Sequence, residues 1–180
     1  MKFSHVMGAS LLALGLGAGI APGTAAAADV GPNTTPGADG IVFANVSISV
    51  ADLAKSAKFY QALGFEAGAA TPLPAPIAKL LGGKADAKLQ IQFLKRDGVA
   101  LELVNFAPAP AKAASTGSAG QLGLAHIAIR VDNVDRVAKI VTENGGKTLD
   151  KTRTKLGPID ILFVTDPDGT RIEVASQAKS

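Results

Sequence analysis

The pattern of apolar and polar residues is clearest at residues 122–131, LGLAHIAIRV, where the two kinds alternate. One face is small and apolar, and the other is mixed, with His126 at its middle and Arg130 near its end. Alternation with a period of two predicts a half-buried β-strand. We expect a helix to cover the apolar face and an open cup to lie on the face of His126.

This pattern is part of an internal repeat. IVFANVSISVADLAKSAKFYQALG aligns without a gap on LGLAHIAIRVDNVDRVAKIVTENG at an offset of 81 residues, and DGVALELV aligns on DGTRIEVA at an offset of 71. In both copies a strand leads through a capping residue, Asp52 or Asn133, into a helix that ends at Gly64 or Gly145. The sequence therefore predicts two α+β modules, each strand–helix–strand–strand–strand. The pairing matches Asn45 with His126 and Glu102 with Glu173.

Composition divides the rest of the chain into segments. Residues 29–40 are rich in Gly, Pro and Thr and predict a flexible leader, and residues 107–120 predict a linker. The first module then covers residues 41–106 and the second covers residues 121–176. A Pro-rich insertion at residues 71–83, with a helical turn near its end, accounts for the longer first module.

The first 28 residues have the features of a secretory signal peptide. Lys2 supplies the positive charge, residues 6–21 are apolar and Gly-rich, and residues 25–28 offer an Ala-x-Ala cleavage site. The apolar run is short of the roughly 20 residues that span a membrane. We therefore expect a mature chain that begins near Asp29, is periplasmic or secreted, and has no membrane contact after cleavage.

Charge and cysteine content exclude several functions. Without Lys2 the chain has 17 basic and 15 acidic residues, because the full sequence has 18 and 15, and these charges are dispersed. Nucleic acid is therefore not an expected partner. The chain has no cysteine, so packing must hold an exported fold, and thiol catalysis and zinc–thiolate sites are excluded.

The hairpin around Asp97-Gly98 has two possible registers. A two-residue turn pairs Phe93 with Glu102, whereas a three-residue loop pairs Gln92 with Glu102. We favour the three-residue loop, because it places Gln90 and Gln92 on the face of Glu102 as candidate substrate-binding residues.

These features together resemble the vicinal oxygen chelate superfamily, which includes glyoxalase I, extradiol dioxygenases and the bleomycin-resistance proteins. The resemblance rests on ANVSISVADLAKSAKFYQALGF and VALELVNF in the first module, and on LAHIAIRVDNVDR and DPDGTRIEV in the second. It implies a cup-shaped mixed sheet built from two βαβββ modules, with helices outside and one divalent metal ion inside. It also implies a small-molecule substrate and possible pairing as a homodimer.

The metal-ligand positions of that superfamily fall on Asn45, Glu102, His126 and Glu173. Imidazole and carboxylate ligands suit Zn, Ni, Fe, Co or Mn. Asn45 is a departure, because glyoxalase I-like members carry His or Gln there, so water could take this position. For all ligands to reach one ion, their atoms must lie within about 4 Å of one another.

Other interpretations of these residues stay open. Alternation alone could make Glu102 and Glu173 ordinary outward residues, and His126 an ordinary hydrogen-bonded residue. Arg130 and Arg171 share the faces of His126 and Glu173 and could bind an anionic substrate; they could equally be solvent-exposed charges.

By the resemblance, the leading function is a metal-dependent lyase or isomerase of the glyoxalase I type. The metal would stabilise an oxyanion or enolate, and Glu173, with Glu102, would move the proton. Export argues against glutathione or CoA thioester substrates and favours a small oxygen-rich molecule. A non-catalytic binding protein and a non-haem iron dioxygenase are the alternatives, the latter disfavoured by the single histidine of the mature chain.

Overall fold

The computed structural model describes residues 30–84, 87–108 and 123–176. The predicted signal peptide and the linker beyond residue 108 lie outside these residues. Within them, no helix is both long enough and apolar enough to cross a membrane.

The first module has five strands and two helices. They are β1 (Val46–Ser49), α1 (Leu53–Ala62), β2 (Glu66–Ala67), β3 (Thr71–Leu73), α2 (Ala75–Leu80), β4 (Lys88–Arg96) and β5 (Val99–Ala107). The strand order is β1-β5-β4-β2, with β3 also paired to β4, and β1 runs parallel to β5.

The second module repeats this arrangement. It contains β6 (Ile127–Val131), α3 (Val134–Glu143), β7 (Lys147–Thr148), a 3-10 turn (Asp150–Thr152), β8 (Thr154–Leu156), β9 (Ile159–Thr165) and β10 (Arg171–Ser176). Its order is β6-β10-β9-β7, with β8 also paired to β9, and β6 runs parallel to β10. The α+β class and the two-module architecture are confirmed, and in each module the strand after the helix is split into two short pieces.

Capping residues place the two main helices as the repeat predicts. Asp52 accepts a hydrogen bond from the Lys55 N–H at 3.0 Å, and Asn133 accepts one from the Arg136 N–H at 2.9 Å. Each helix is followed by a glycine with positive φ, at +88° for Gly64 and +87° for Gly145. Such a residue ends a helix at little cost only when it has no Cβ.

One hydrophobic core joins the two modules. Buried residues of α1, among them Phe59 and Tyr60, belong to the same cluster as Val137 and Val141 of α3 and the inner faces of both sheets. Gly146 allows the close approach, because a Cβ there would lie 2.7 Å from the Phe59 ring. Helices α1 and α3 therefore meet on the apolar side of the sheets. The opposite faces of the sheets remain available for a functional site.

Helix α2, in the Pro-rich insertion, covers part of the opposite face of the first sheet. The buried residues there form a second cluster: Ala78, Ala87, Leu89, Ile91 and Val104. The insertion was predicted to hold only a helical turn, and it contains both β3 and α2. The first sheet thus has a helix on each face, whereas the predicted helices lay on the outside only.

The β4–β5 hairpin has a two-residue turn. Arg96 pairs with Val99 and Phe93 pairs with Glu102. Asp97 and Gly98 both have positive φ, at 50° and 78°, as a type I′ turn requires. The predicted three-residue loop, which paired Gln92 with Glu102, is therefore wrong. The turn type that matches the twist of the strands decided the register.

The leader contacts the first module. The Asn33 N–H donates to Ala44 O at 2.8 Å, and its side chain amide donates to Phe43 O and Gly98 O at 3.2 and 3.1 Å. The leader is thus tied to the start of the first module and to the β4–β5 turn. Its flexibility stays a prediction.

Candidate metal and substrate site

Glu102 lies on β5 beside two polar residues from the start of the chain's first strand. Its Oε2 accepts a hydrogen bond from the Asn45 side chain amide at 3.2 Å and another from the Ser47 hydroxyl. The amide of Asn45 also donates to the Ser47 hydroxyl at 3.1 Å. Ser47 is the register partner of Glu102 in the parallel ladder. Asn45 thus lies beside Glu102, as the resemblance implied, and their role as metal ligands stays a prediction.

The second module presents a matching pair. His126 Nε2 lies 3.5 Å from Glu173 Oε2, and Arg130 Nη1 lies 3.8 Å from Glu173 Oε1. The Glu173 side chain is 19% exposed and that of Arg130 is 54% exposed, so the carboxylate sits deeper than the guanidinium. Arg130 lies on the face of His126, as strand alternation predicts, and its binding of a substrate stays a prediction.

An aromatic ring organises the neighbourhood of this second pair. Phe163 is the register partner of Glu173. Its ring lies edge-on to His126 at 5.2 Å, and the Arg171 guanidinium lies 4.5 Å from its centroid. A guanidinium over an aromatic face is held by a cation–π interaction. Phe163 thus contacts both Arg171 and His126, and the substrate-binding role of Arg171 stays a prediction.

The two pairs remain separate within one chain. Among the described residues, no group of three or more His, Asp or Glu side chains is close enough to hold a metal ion. The predicted convergence of Glu102, His126 and Glu173 therefore does not occur inside a single chain. Each half carries one carboxylate and one nitrogen-bearing side chain, so the donor chemistry suits a divalent cation, but the two halves would have to be brought together. The role of the four residues as metal ligands stays a prediction.

Gln90 and Gln92 lie away from this site. In the observed register they oppose Asn105 and Leu103, which share the face that packs on α1. Gln92 donates to Gly68 O at 2.8 Å, and both glutamines border the start of α1. The structure therefore contradicts their predicted place beside Glu102, because the one-residue change in register turns every β4 side chain over.

Sequence reasoning missed three residues of the site. Ser47 follows Asn45 by two positions, so strand alternation alone could have found it. Finding Phe93 and Phe163 requires the pairing register of β4 with β5 and of β9 with β10. The local sequence specifies these registers only when the geometry of the connecting turns is known.

The fold and this arrangement define a class of protein: two repeated βαβββ-type modules, each with a carboxylate and a nitrogen-bearing neighbour on the open face of its sheet. A family model described as the Glyoxalase/Bleomycin resistance protein/Dioxygenase superfamily matches residues 42–174. The chain belongs to this superfamily. Membership supports a metal-dependent function of its general kind.

Solved structures agree on the fold. A glyoxalase family protein from Bacillus cereus is 18% identical, with 75% of this chain and 93% of that chain covered and a TM-score of 0.63. One from Enterococcus faecalis is 24% identical, with 73% and 94% covered and a TM-score of 0.54. A glyoxalase I mutant from Zea mays is 24% identical, with 75% of this chain and 44% of that chain covered and a TM-score of 0.52. At these identities the likeness shows the fold alone. No curated protein matches the chain.

Proposed function

We propose that this protein is an exported, divalent-metal-dependent lyase or isomerase that acts on a small oxygen-rich molecule. We further propose that its site forms between two chains, Asn45 and Glu102 coming from one protomer and His126 and Glu173 from its partner. The observation that carries this proposal is the division of the donor set into two complementary halves within one chain.

The edges of the sheets support a composite site. Strands β1 and β6, which border the two halves, each stand at the end of their sheet. An unpaired edge strand readily pairs with another chain. The outer side of β6 borders a cavity of about 610 Å³, whose opposite wall is formed by residues 62–65 and Val99 of the first module. Large apolar side chains are exposed just ahead of both strands, at 73% for Phe43 and 57% for Leu124. A second copy that covered these residues would bring the halves together in a twofold dimer.

The residues divide the chemical work in this proposal. Bound there, a divalent ion would act as a Lewis acid on a substrate oxygen. Glu173, with its Oε2 toward His126 and its Oε1 toward Arg130, is positioned to take a proton from the substrate and return it. Arg130, at the mouth, would orient an anionic group by charge-assisted hydrogen bonds. Ser47 and Asn45 hold the Glu102 carboxylate in place.

Complementation between two inactive variants tests this proposal. Glu102→Gln and Glu173→Gln each remove one carboxylate from every site of a homodimer, so we expect both variants to lose stoichiometric metal binding. In a heterodimer of the two, one site carries both substitutions and the other carries neither. Metal analysis of the purified heterodimer, selected by two affinity tags, should find about one ion per dimer.

Other results would contradict parts of the proposal. A heterodimer without metal, beside a wild-type protein that binds it, would mean that the ligands do not come from two chains. A wild-type protein that binds none of Zn, Ni, Fe, Co or Mn would end the metal-dependent function. Gln90→Leu, on the other face of the sheet, is the matched control and should bind metal as wild type does.

One observation favours a non-catalytic binding protein as the second candidate. Asn45 directs its amide nitrogen, a donor, at Glu102, and Ser47 adds a second donor. A carboxylate so hydrogen-bonded is satisfied without a metal ion. In that case the wild-type protein would bind its ligand without metal and leave it chemically unchanged, which mass spectrometry of the recovered ligand would show.

A further inference from the structure

Each module places a phenylalanine directly across the sheet from its glutamate. Phe93 on β4 opposes Glu102 on β5, and Phe163 on β9 opposes Glu173 on β10. Directly opposed residues of an antiparallel pair lie on the same face, with Cβ atoms about 4.5–5.5 Å apart. The two rings therefore stand beside the two carboxylates in the same relative position.

Both rings are partly exposed on the face that carries the polar site. The main hydrophobic core lies on the opposite face of each sheet, against α1 and α3. Phe93 packs at the margin of the smaller cluster under α2, so one side of its ring has apolar support. Phe163 is supported by His126 and Arg171. Each ring thus has one side held by the protein.

Two basic residues lie close to this part of the face: Arg130 is 3.8 Å from Glu173 and 54% exposed, and Arg171 lies over the Phe163 ring. An exposed guanidinium suits an anionic group of a ligand, and apolar walls beside a few placed polar groups are what a small-molecule site requires.

We infer that the site takes a planar, conjugated anion, whose ring system lies against Phe93 and Phe163 and whose anionic group meets Arg130. Flat rings pack on phenylalanine in offset-stacked or edge-to-face arrangements, and such pairs gain more than their buried area alone. This inference rests on the proposed function, because Phe93 and Phe163 share one cup only when the two halves meet.

Three matched probes test the inference by calorimetric titration of the full-length protein. Salicylate is planar and anionic, cis-2-hydroxycyclohexanecarboxylate has the same oxygens on a non-planar ring, and salicylamide is planar and neutral. We expect salicylate to bind about tenfold more tightly than either of the other two.

Two variants test which residues cause the preference for the planar anion. Phe93→Leu keeps an apolar side chain and removes the flat ring, so salicylate and the saturated acid should then bind within about twofold of each other. Arg130→Gln should weaken salicylate about tenfold and leave salicylamide unchanged, since about 1.4 kcal/mol is tenfold in Kd. Phe106→Leu, four residues from Glu102 along the same strand face, is the control and should bind as wild type does.

Equal affinity of wild type for salicylate and the saturated acid would overturn the inference, as would absence of salicylate binding or an unchanged preference in Phe93→Leu. Metal analysis of the same samples separates the two proposals. Metal in the heterodimer with no planar preference would overturn only the inference. A planar preference without any metal would overturn the metal-dependent function and leave the planar site to a binding protein.

Discussion

The hydroxyl of Tyr60 on α1 donates a hydrogen bond to Asp166 Oδ2 at 3.0 Å, and both residues are 1% exposed. Asp166 opens the turn between β9 and β10, so this bond connects the first module to the second. Asp166 Oδ1 also accepts from the N–H groups of Asp168 and Thr170 at 2.9 and 2.7 Å. The turn that leads into the strand of Glu173 is thus held by a helix from the other module.

Removing the Tyr60 hydroxyl should destabilise the protein. Tyr60→Phe keeps the ring and leaves a buried carboxylate with one partner fewer, which costs about 1–3 kcal/mol. Urea unfolding would measure the loss. Ser56→Ala, which removes a partly buried hydrogen bond of 3.1 Å to Asp168, is the control and should cost less. Equal stability of Tyr60→Phe and wild type would show that the bond contributes nothing.

The Asp166 carboxyl should make stability depend on pH. Burial raises its pKa, and hydrogen bonds from Thr170, Tyr60 and Asp168 oppose the rise without cancelling it. The folded protein therefore binds this proton more tightly than the unfolded chain. Its contribution to stability is full below the unfolded-state pKa of about 3.9 and is lost as the pH rises through the raised folded-state value.

Asp166→Asn removes this titration and isolates its effect. The free energy of unfolding of wild type minus that of Asp166→Asn should fall as the pH rises above about 4, and then level off. Denaturant unfolding at a series of pH values would give this difference. A difference that rises with pH would contradict the raised pKa.

Substitutions at the two nitrogen-bearing positions should change metal affinity in opposite directions. His126→Ala should abolish stoichiometric metal binding and leave the fold largely intact, because the side chain lies on the open face. Asn45→His should tighten binding, since imidazole is a better ligand for these metals than an amide. Competition with a chelator would measure both, with circular dichroism as the check on folding. Weaker binding by Asn45→His would remove this position from the ligand set.

The proposed export implies a defined mature N-terminus. Sequencing of the secreted or periplasmic protein should begin near Asp29, because small residues precede it in an Ala-x-Ala arrangement. An N-terminus at Met1 in that fraction would contradict cleavage.

The modules and their order were readable from the sequence because local rules specify them. These rules act over a few residues: the helix caps at Asp52 and Asn133, the glycine after each helix, and strand alternation. Because the module is repeated, each feature occurs twice in the sequence. Alternation placed Arg130 on the face of His126 for the same reason, since neighbouring side chains of a strand point to opposite sides. The pairing of β10 with β6 places Glu173 on that face.

The polarity of Gln90 and Gln92 does not determine the register of β4. Leu89 and Ile91 are apolar, and the helix that buries them is α2, on the face of Glu102. No local pattern shows which face of a sheet an inserted helix will cover. The tertiary packing of α2, together with the twist of the type I′ turn, placed Gln90 and Gln92 on the other face.

The separation of the two donor pairs likewise depends on the tertiary structure. By itself the sequence determined which residues could bind a metal and which of them share a module. The tertiary arrangement of the modules, which share one core and the Tyr60–Asp166 bond, leaves the two donor pairs apart among the described residues. Contacts between distant elements depend on the shapes of whole surfaces, which the periodicity of single strands and helices does not encode.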